Sequence, residues 1–282
     1  MPGIDLHTHS SVSDGTETPA ELIAAAVEAG LDAVAITDHD STSGWVEAFE
    51  AARGTGLTVI PGMELSTNFG PASVHMLAYL FDATNGGVIA ETASIRDGRL
   101  HRAERIVERI GADYDLTWDD VLASSSDGGT LGRPHIADAL VTKGIVTSRE
   151  QAFQSILNWR GKYYEKYYAP DPLAGVRMIV AAGGVPVLAH PATYGKYRPM
   201  DDRFIGKLRD EGLFGLEVGH RDNTDEGKER LRKLATKLGL EITGSSDYHG
   251  EGKPNRLGEY TTSPEVLEKL FARATGSVPY VG

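Results

Sequence analysis

Two histidines one residue apart, His7 and His9, close the opening stretch Met1-Pro2-Gly3-Ile4-Asp5-Leu6-His7-Thr8-His9. In a strand, residues i and i+2 share a face, so both imidazoles would project side by side and offer two neutral nitrogens to one metal ion. The chain answers this pair downstream. Of its nine histidines, His7, His9, His39, His75, His190 and His249 stand at or beside the end of a predicted strand. Three carboxylates, Asp14, Glu64 and Asp247, hold comparable positions. Each has a plainer reading: Asp14 before Gly15 could form a turn, Asp38 and Asp40 could cap a helix, and His75 could be a satisfied core histidine. Together they read as one metal-binding rim. The chain has no cysteine, which excludes disulfides, thiolate ligands and cysteine nucleophiles. Nitrogen and oxygen ligands remain, and these suit manganese, iron or zinc.

Strands alternating with helices would position those groups. Thr18-Pro19-Ala20-Glu21 predicts a helix start, with Thr18 as N-cap, Pro19 in the first turn and Glu21 completing a capping box. Leu22, Ile23, Ala26 and Val27 supply its apolar face, and Gly30 ends it. Strands are predicted at 33–37, 57–64, 74–80, 185–189, 215–218 and 240–244, besides the opening one. Further helices are predicted at 43–53, 173–182, 202–211, 226–238 and 264–274. Seven short strands alternating with helices imply a parallel sheet, and polar clusters at so many strand ends point to a barrel with its site on that face. From residue 86 to 168 the alternation stops. Helices at 90–110, 118–123, 134–142 and 149–157, joined by polar turns such as 124–129, read as an inserted helical subdomain. The expected organisation is a catalytic barrel from 1–85 and 169–282, with 86–168 as insertion or lid.

Composition sets outer limits. With 282 residues, 40% hydrophobic and 24% charged, the chain can bury a substantial core and shows no mark of disorder. No run of about 18 apolar residues exists and no signal-peptide pattern opens the chain, so a cytoplasmic protein with no membrane span is expected. A net charge of −12 argues against coating long nucleic acid, although bound cations can reverse the sign locally and admit an anionic substrate.

The segments Asp5-Leu6-His7-Thr8-His9-Ser10, Thr37-Asp38-His39-Asp40, Gly62-Met63-Glu64, Ala189-His190-Pro191 and Ser246-Asp247-Tyr248-His249 resemble, in order, the motifs of the PHP (polymerase and histidinol phosphatase) family of metal-dependent phosphoesterases. The resemblance implies a distorted seven-stranded (β/α) barrel, TIM-barrel-like, holding two or three divalent ions. It assigns His7, His9, Glu64 and Asp247 to a first ion. Glu64 would bridge to a second, held by His75 and His190, while Asp14, His39 and His249 would hold a third. Some family members carry histidine where this chain has Asp14. Ions roughly 3.5–4 Å apart can share an acidified hydroxide and clamp the phosphoryl oxygens, so no protein nucleophile is required. For the proton on the leaving oxygen, Asp247, His249 and a metal-bound water stand as alternatives.

Gly132-Arg133-Pro134-His135-Ile136-Ala137 resembles a motif of small PHP enzymes acting on nucleotides, in which the arginine binds a substrate phosphate. A guanidinium suits that task because its planar fork donates two parallel hydrogen bonds. The plainer reading is a helix start with Pro134 at N1 and Arg133 solvated. His135 could join Arg133 or cap the helix. His220, just past a strand, could touch substrate or lie on the surface. The aromatic stretch from Trp159 to Tyr168 could stack a base, bind a second phosphate or serve as a hinge, and His101 among Arg99, Arg102 and Arg105 reads as a solvated face. The expected activity is hydrolysis of a phosphate monoester of a small nucleotide, a nucleoside 3′,5′-bisphosphate or monophosphate. Alternatives are 5′-3′ exonucleolytic trimming of short RNA ends and histidinol-phosphate-type hydrolysis. A metal-binding module without activity would lack ligands, and a hydrolase of carbon–nitrogen bonds would not end in Ser-Asp-Tyr-His.

Overall fold

The opening stretch forms strand β1 (Ile4–Thr8) in a computed structural model that describes residues 3–70, 72–124, 130–193 and 200–282. Of the expected polar turn at 124–129, all but Ser124 lies outside the described residues. β1 pairs in parallel with β2 (Ala33–Ile36), and β2 with β3 (Thr58–Phe69). β4 (Ala72–Tyr79) then runs antiparallel both to β3 and to β5 (Val185–Leu188). β6 (Gly215–Gly219) and β7 (Glu241–Gly244) restore the parallel sense. Beyond β7, Tyr248 bridges to Thr8, and His9 N donates to Tyr248 O at 2.8 Å, so the sheet nearly closes on itself. A two-residue strand, β8 (Tyr280–Val281), adds to β3 on its outer course.

The expected uniform parallel sheet fails at β4, and the reason is chain length. A parallel neighbour needs a crossover of a dozen or more residues. Only two residues separate Phe69 from Ala72, and the first, Gly70, stands at φ +62°, a conformation that glycine adopts freely. The chain must therefore fold back as a hairpin.

Among the described residues, ten helices accompany the sheet. α1 (Pro19–Glu28) carries the predicted capping box at Thr18 and Glu21. α2 (Trp45–Ala52) is capped at Gly44, so Asp38 and Asp40 are not caps. α3 (Gly86–Gly111), α4 (Trp118–Leu122), α5 (Arg133–Thr142) and α6 (Arg149–Gln154) occupy the helical stretch. α7 (Pro172–Ala181), α8 (Asp202–Asp210), α9 (Asp225–Leu238) and α10 (Pro264–Arg273) complete the outer layer.

Among the described residues, burial separates into three clusters. Leu22, Ile23 and Ala26 of α1 join Val34, Ile36, Val59, Leu216 and Leu234 in the layer between strands and helices. Ile4, Leu6, Ala33, Ala35, Ile60, Leu77 and Val187 meet on the strands' other face, with Val266 and Leu270 of α10. Ile106, Ile110, Val121, Ile136, Leu140 and Leu157 form a core of their own within the helical stretch. α3 serves two cores, because Val88 and Ile95 of its first half pack with the strand–helix layer.

Candidate metal centre

Backbone irregularity brings the first ligand pair into place. The β1–β2 register shifts between Asp5 and Thr8, and the Leu6 carbonyl accepts from Tyr79 Oη at 2.8 Å. Past the strand, residues 10–15 turn back sharply: Ser10 O accepts from the N–H groups of Ser13 and Gly15, and a Cβ at Gly15 would stand 2.2 Å from His9 O. Asp38 fastens this turn, accepting from Ser10 N at 2.8 Å and from the hydroxyls of Ser10 and Ser13, each at 2.7 Å. Asp40 does the same for β3, taking Ser66 N and Oγ at 2.7 Å each.

Glu64 is the hub. Its Oε2 lies 3.3 Å from His7 Nε2, 3.1 Å from His9 Nε2 and 3.2 Å from His39 Nδ1. Its Oε1 lies 2.8 Å from His75 Nδ1 and 3.1 Å from His190 Nε2. His75 arrives from the start of β4, which only the antiparallel course puts beside the ends of the parallel strands. Asp247 Oδ1 is 3.4 Å from Nε2 of both His7 and His9, and Asp14 Oδ1 is 3.2 Å from His249 Nε2. All nine residues singled out as ligands thus stand in one contiguous cluster. One ligand atom from each of His7, His9, Glu64 and Asp247 falls within 4.8 Å of the rest, and the same holds for His9, Asp14 and His39 and for His39, Glu64 and His75. Asp40, His190 and Asp247 adopt positive φ, an unfavourable backbone for non-glycine residues that the surroundings must hold in place.

The donor set fits divalent cations on tautomer grounds. His249 Nδ1 lies 2.8 Å from the Asp247 carbonyl, which only accepts, so Nδ1 carries the proton and Nε2 turns a lone pair toward Asp14. Asp14 Oδ1, His39 Nδ1 and His249 Nε2 are buried and make no hydrogen bond among the described residues. Lone pairs facing lone pairs in a buried site call for a cation between them. Burial and Lys253 pull the His249 pKa down to about 4, and burial holds His39 well below its usual value. Against the penalty of burial, His75, His39 and His7 keep Glu64 well below the usual carboxylate range; His249 and His39 do so for Asp14, and Lys253 and His249 for Asp247. Burial lowers the His7 pKa, but Glu217, Glu64 and Asp247 together raise it well above the ordinary value, so a cation entering there displaces a proton.

Sequence reasoning missed two residues here. Glu217 Oε1 sits 3.0 Å from His7 Nδ1, and its Oε2 accepts from His190 N at 2.7 Å. A carboxylate within the apolar run Leu216-Glu217-Val218 was the available signal. Lys253 Nζ donates to Asp247 Oδ2 at 2.7 Å, and a lysine in a polar loop carries no such signal.

The residues considered for substrate divide. His220 is not on the surface: it is fully buried, with Nε2 3.4 Å from Asp247 Oδ2 and Nδ1 accepting from Asp222 N at 3.0 Å. His135 caps its own helix, its Nδ1 accepting from Gly132 N at 3.2 Å. Arg133 is half-buried at the start of α5, its guanidinium 5.3 Å from the Phe153 ring. His101 is solvated as expected, whereas Arg99 and Arg102 are not, since α3 turns both inward. Arg99 Nε meets Asp40 Oδ2 at 3.0 Å and its Nη2 donates to Ser66 Oγ at 2.6 Å. The aromatic stretch forms neither helix nor strand, and returns to the barrel through Asn68, which bonds Tyr167 O and Pro170 O.

Comparison with known proteins agrees with this geometry. The family described as PHP domain matches residues 5–168. A 3′,5′-nucleoside bisphosphate phosphatase of Chromobacterium violaceum is 32% identical over 273 residues, covering 96% of each chain. A 5′-3′ exoribonuclease of Haemophilus influenzae is 31% identical over 87% of this chain and 89% of its own. A crystal structure from Bifidobacterium adolescentis, described as a metal-dependent phosphoesterase, superposes with a TM-score of 0.94 at 42% identity and covers 97% of both chains.

Proposed function

The chain belongs to the PHP family, and on that premise we propose that it removes a phosphate monoester from a small nucleotide, a nucleoside 3′,5′-bisphosphate or monophosphate. It is a metal-dependent phosphoesterase. The observation that carries the substrate reading is the start of α5, where half-buried Arg133 follows Gly132, whose Cβ position lies 3.4 Å from Arg99 Nη1; the full-length similarity to a bisphosphate phosphatase supports it. We assign His7, His9, Glu64 and Asp247 to one cation, Glu64, His75 and His190 to a second, and Asp14, His39 and His249 to a third. The helical residues 86–168 are assigned as the lid that delivers Arg133 and His135.

Divalent ions bound by these residues would supply Lewis acidity, making a water nucleophilic at neutral pH and offsetting charge on the phosphoryl oxygens. The chain's own groups do the rest. Glu217 holds the His7 proton on Nδ1, so that Nε2 faces the cluster. Asp247 turns Oδ1 toward His7 and His9, and Oδ2 toward Lys253 and His220. We therefore place proton handling at the leaving oxygen on Asp247 with those two partners. His249, whose lone pair is committed toward Asp14, serves as a ligand.

A second reading, trimming of short RNA 5′ ends, is favoured by a similarity of nearly equal strength to an exoribonuclease. Phosphate release from a nucleotide panel, run beside short 5′-phosphorylated RNA on protein reconstituted with manganese, iron or zinc, separates the two. Turnover confined to RNA would replace the monoester reading. His9→Ala and Asp247→Ala are each expected to lose metal and more than about 100-fold of activity together. Full activity in either would contradict the ligand assignment.

A further inference from the structure

The mounting that holds Asp247 includes a cation. Its φ of +55° is a backbone conformation that an aspartate keeps only where its surroundings impose it. The residue before it is gripped on both sides: Ser246 N donates to Asp5 Oδ1 at 3.0 Å, and Ser246 O accepts from Asn255 Nδ2 at 2.6 Å. The loop that carries Asn255 is anchored at its far end, where Gly258 N donates to Asp5 Oδ2 at 2.9 Å. At its near end Gly252 packs so closely on Arg149 that a Cβ there would collide with the guanidinium. Lys253 lies between these anchors, and the fold thereby directs its ammonium to Asp247 Oδ2 at 2.7 Å. Among the described residues it meets no other carboxylate.

The second neighbour of that oxygen is His220. Its Nδ1 accepts from Asp222 N at 3.0 Å, so the ring proton is on Nε2, which stands 3.4 Å from Oδ2. A protonated nitrogen offers no lone pair. His220 is therefore a donor toward the cluster and not a ligand, although its ring lies 5.0 Å from that of His190. Oδ1, in contrast, faces Nε2 of His7 and of His9, each at 3.4 Å.

The usual outer partner of a metal ligand is an acceptor that makes the ligand more basic, and Glu217 on His7 is of that kind. An ammonium on a ligand carboxylate does the reverse, since it competes with the cation for the carboxylate and repels it. What it secures is geometry. A carboxylate free to turn can take a cation with both oxygens and fill two positions; one whose second oxygen is held fills a single position and leaves another open, as catalytic sites require.

We propose that Lys253, with His220 beside it, is a positioning residue that holds Asp247 as a one-oxygen ligand, lowering affinity for the first ion and keeping a coordination position open for water or a phosphoryl oxygen. The proposal rests on the assignment of Asp247 to that ion and on phosphoester hydrolysis, and needs no particular nucleotide as substrate.

Stepwise titration of the metal-free full chain with manganese or zinc, against a competing chelator, tests it. The step that His7→Ala abolishes identifies the first ion. Lys253→Met is expected to bind that ion about tenfold more tightly than wild type, because the repelling charge is gone, whereas loss of a merely structural contact would weaken it. On metal-saturated protein its kcat toward p-nitrophenyl phosphate should fall about tenfold or more, with KM changed less than about threefold. Lys253→Arg keeps the charge and the donors, and should stay within about threefold of wild type in affinity, kcat and KM. Weaker binding of the first ion in Lys253→Met, an undiminished kcat, or failure to fold overturns the proposal and leaves the lysine a structural prop or a bystander. If wild type hydrolyses no nucleotide, the substrate reading fails, while the metal titration and p-nitrophenyl phosphate still decide the role of Lys253.

Discussion

Glu217 shows how much of this site depends on groups that would not touch the metal. Fully buried, it accepts from His7 Nδ1 with one oxygen and from the His190 backbone N–H with the other, so a single carboxylate orients one assigned ligand's imidazole and fixes the backbone of a ligand assigned to a second ion. Outer partners of this kind typically contribute 10–100-fold to affinity or activity. Glu217→Gln keeps the shape and loses the charge. It is expected to weaken metal binding by about that factor in a competition titration, and unaltered affinity would contradict the orienting role. The same logic explains His249, whose tautomer is set by the carbonyl of its neighbour Asp247 two residues back, a constraint local enough to survive most changes elsewhere.

At the scale of elements, the helical stretch and the barrel share working parts. Arg149 at the start of α6 forms a two-pronged pair with Asp138 of α5 and also donates to the Asp14 carbonyl at 3.0 Å, which ties α5 and α6 to the turn that presents Asp14. Arg149→Ala removes that tie while leaving every assigned ligand in place. The cation assigned to Asp14, His39 and His249 is expected to bind about tenfold more weakly, with the first ion little affected. Stepwise metal titration checks this, and equal weakening at all sites would point to general unfolding. The β3–β4 hairpin matters in the same way, since it carries both Glu64 and His75. Were β4 parallel, as the simple alternation implies, His75 would sit at the opposite end of the barrel.

For the whole molecule, the rim concentrates ionised carboxylates and imidazoles that only a folded chain can bring together. Ions that bind this state and not the unfolded chain stabilise it by about 2.7 kcal/mol per site at a hundredfold excess over Kd. Removing them with a chelator is therefore expected to lower the melting temperature by about 5 °C or more, read by scanning calorimetry, with recovery on adding manganese, iron or zinc. A melting curve indifferent to chelation would argue against cations at the rim. Among the described residues no helix is long and apolar enough to cross a membrane.

What could be read from the chain alone is what short stretches encode. The His-x-His pair, the capping box at Thr18 and Glu21, the seven strands and the nine residues that meet at the rim all follow from periodicity or from motif, because each is a property of neighbours along the backbone. Tertiary structure decided the rest: that β4 runs backwards, that Glu217 and Lys253 serve the cluster, that His220 points inward and that Arg102 turns in against Tyr164 and Tyr167. Direction, burial and pairing depend on segments tens or hundreds of residues apart. A lysine in a polar loop or an arginine on a charged helix shows no local trace of what the fold will set against it.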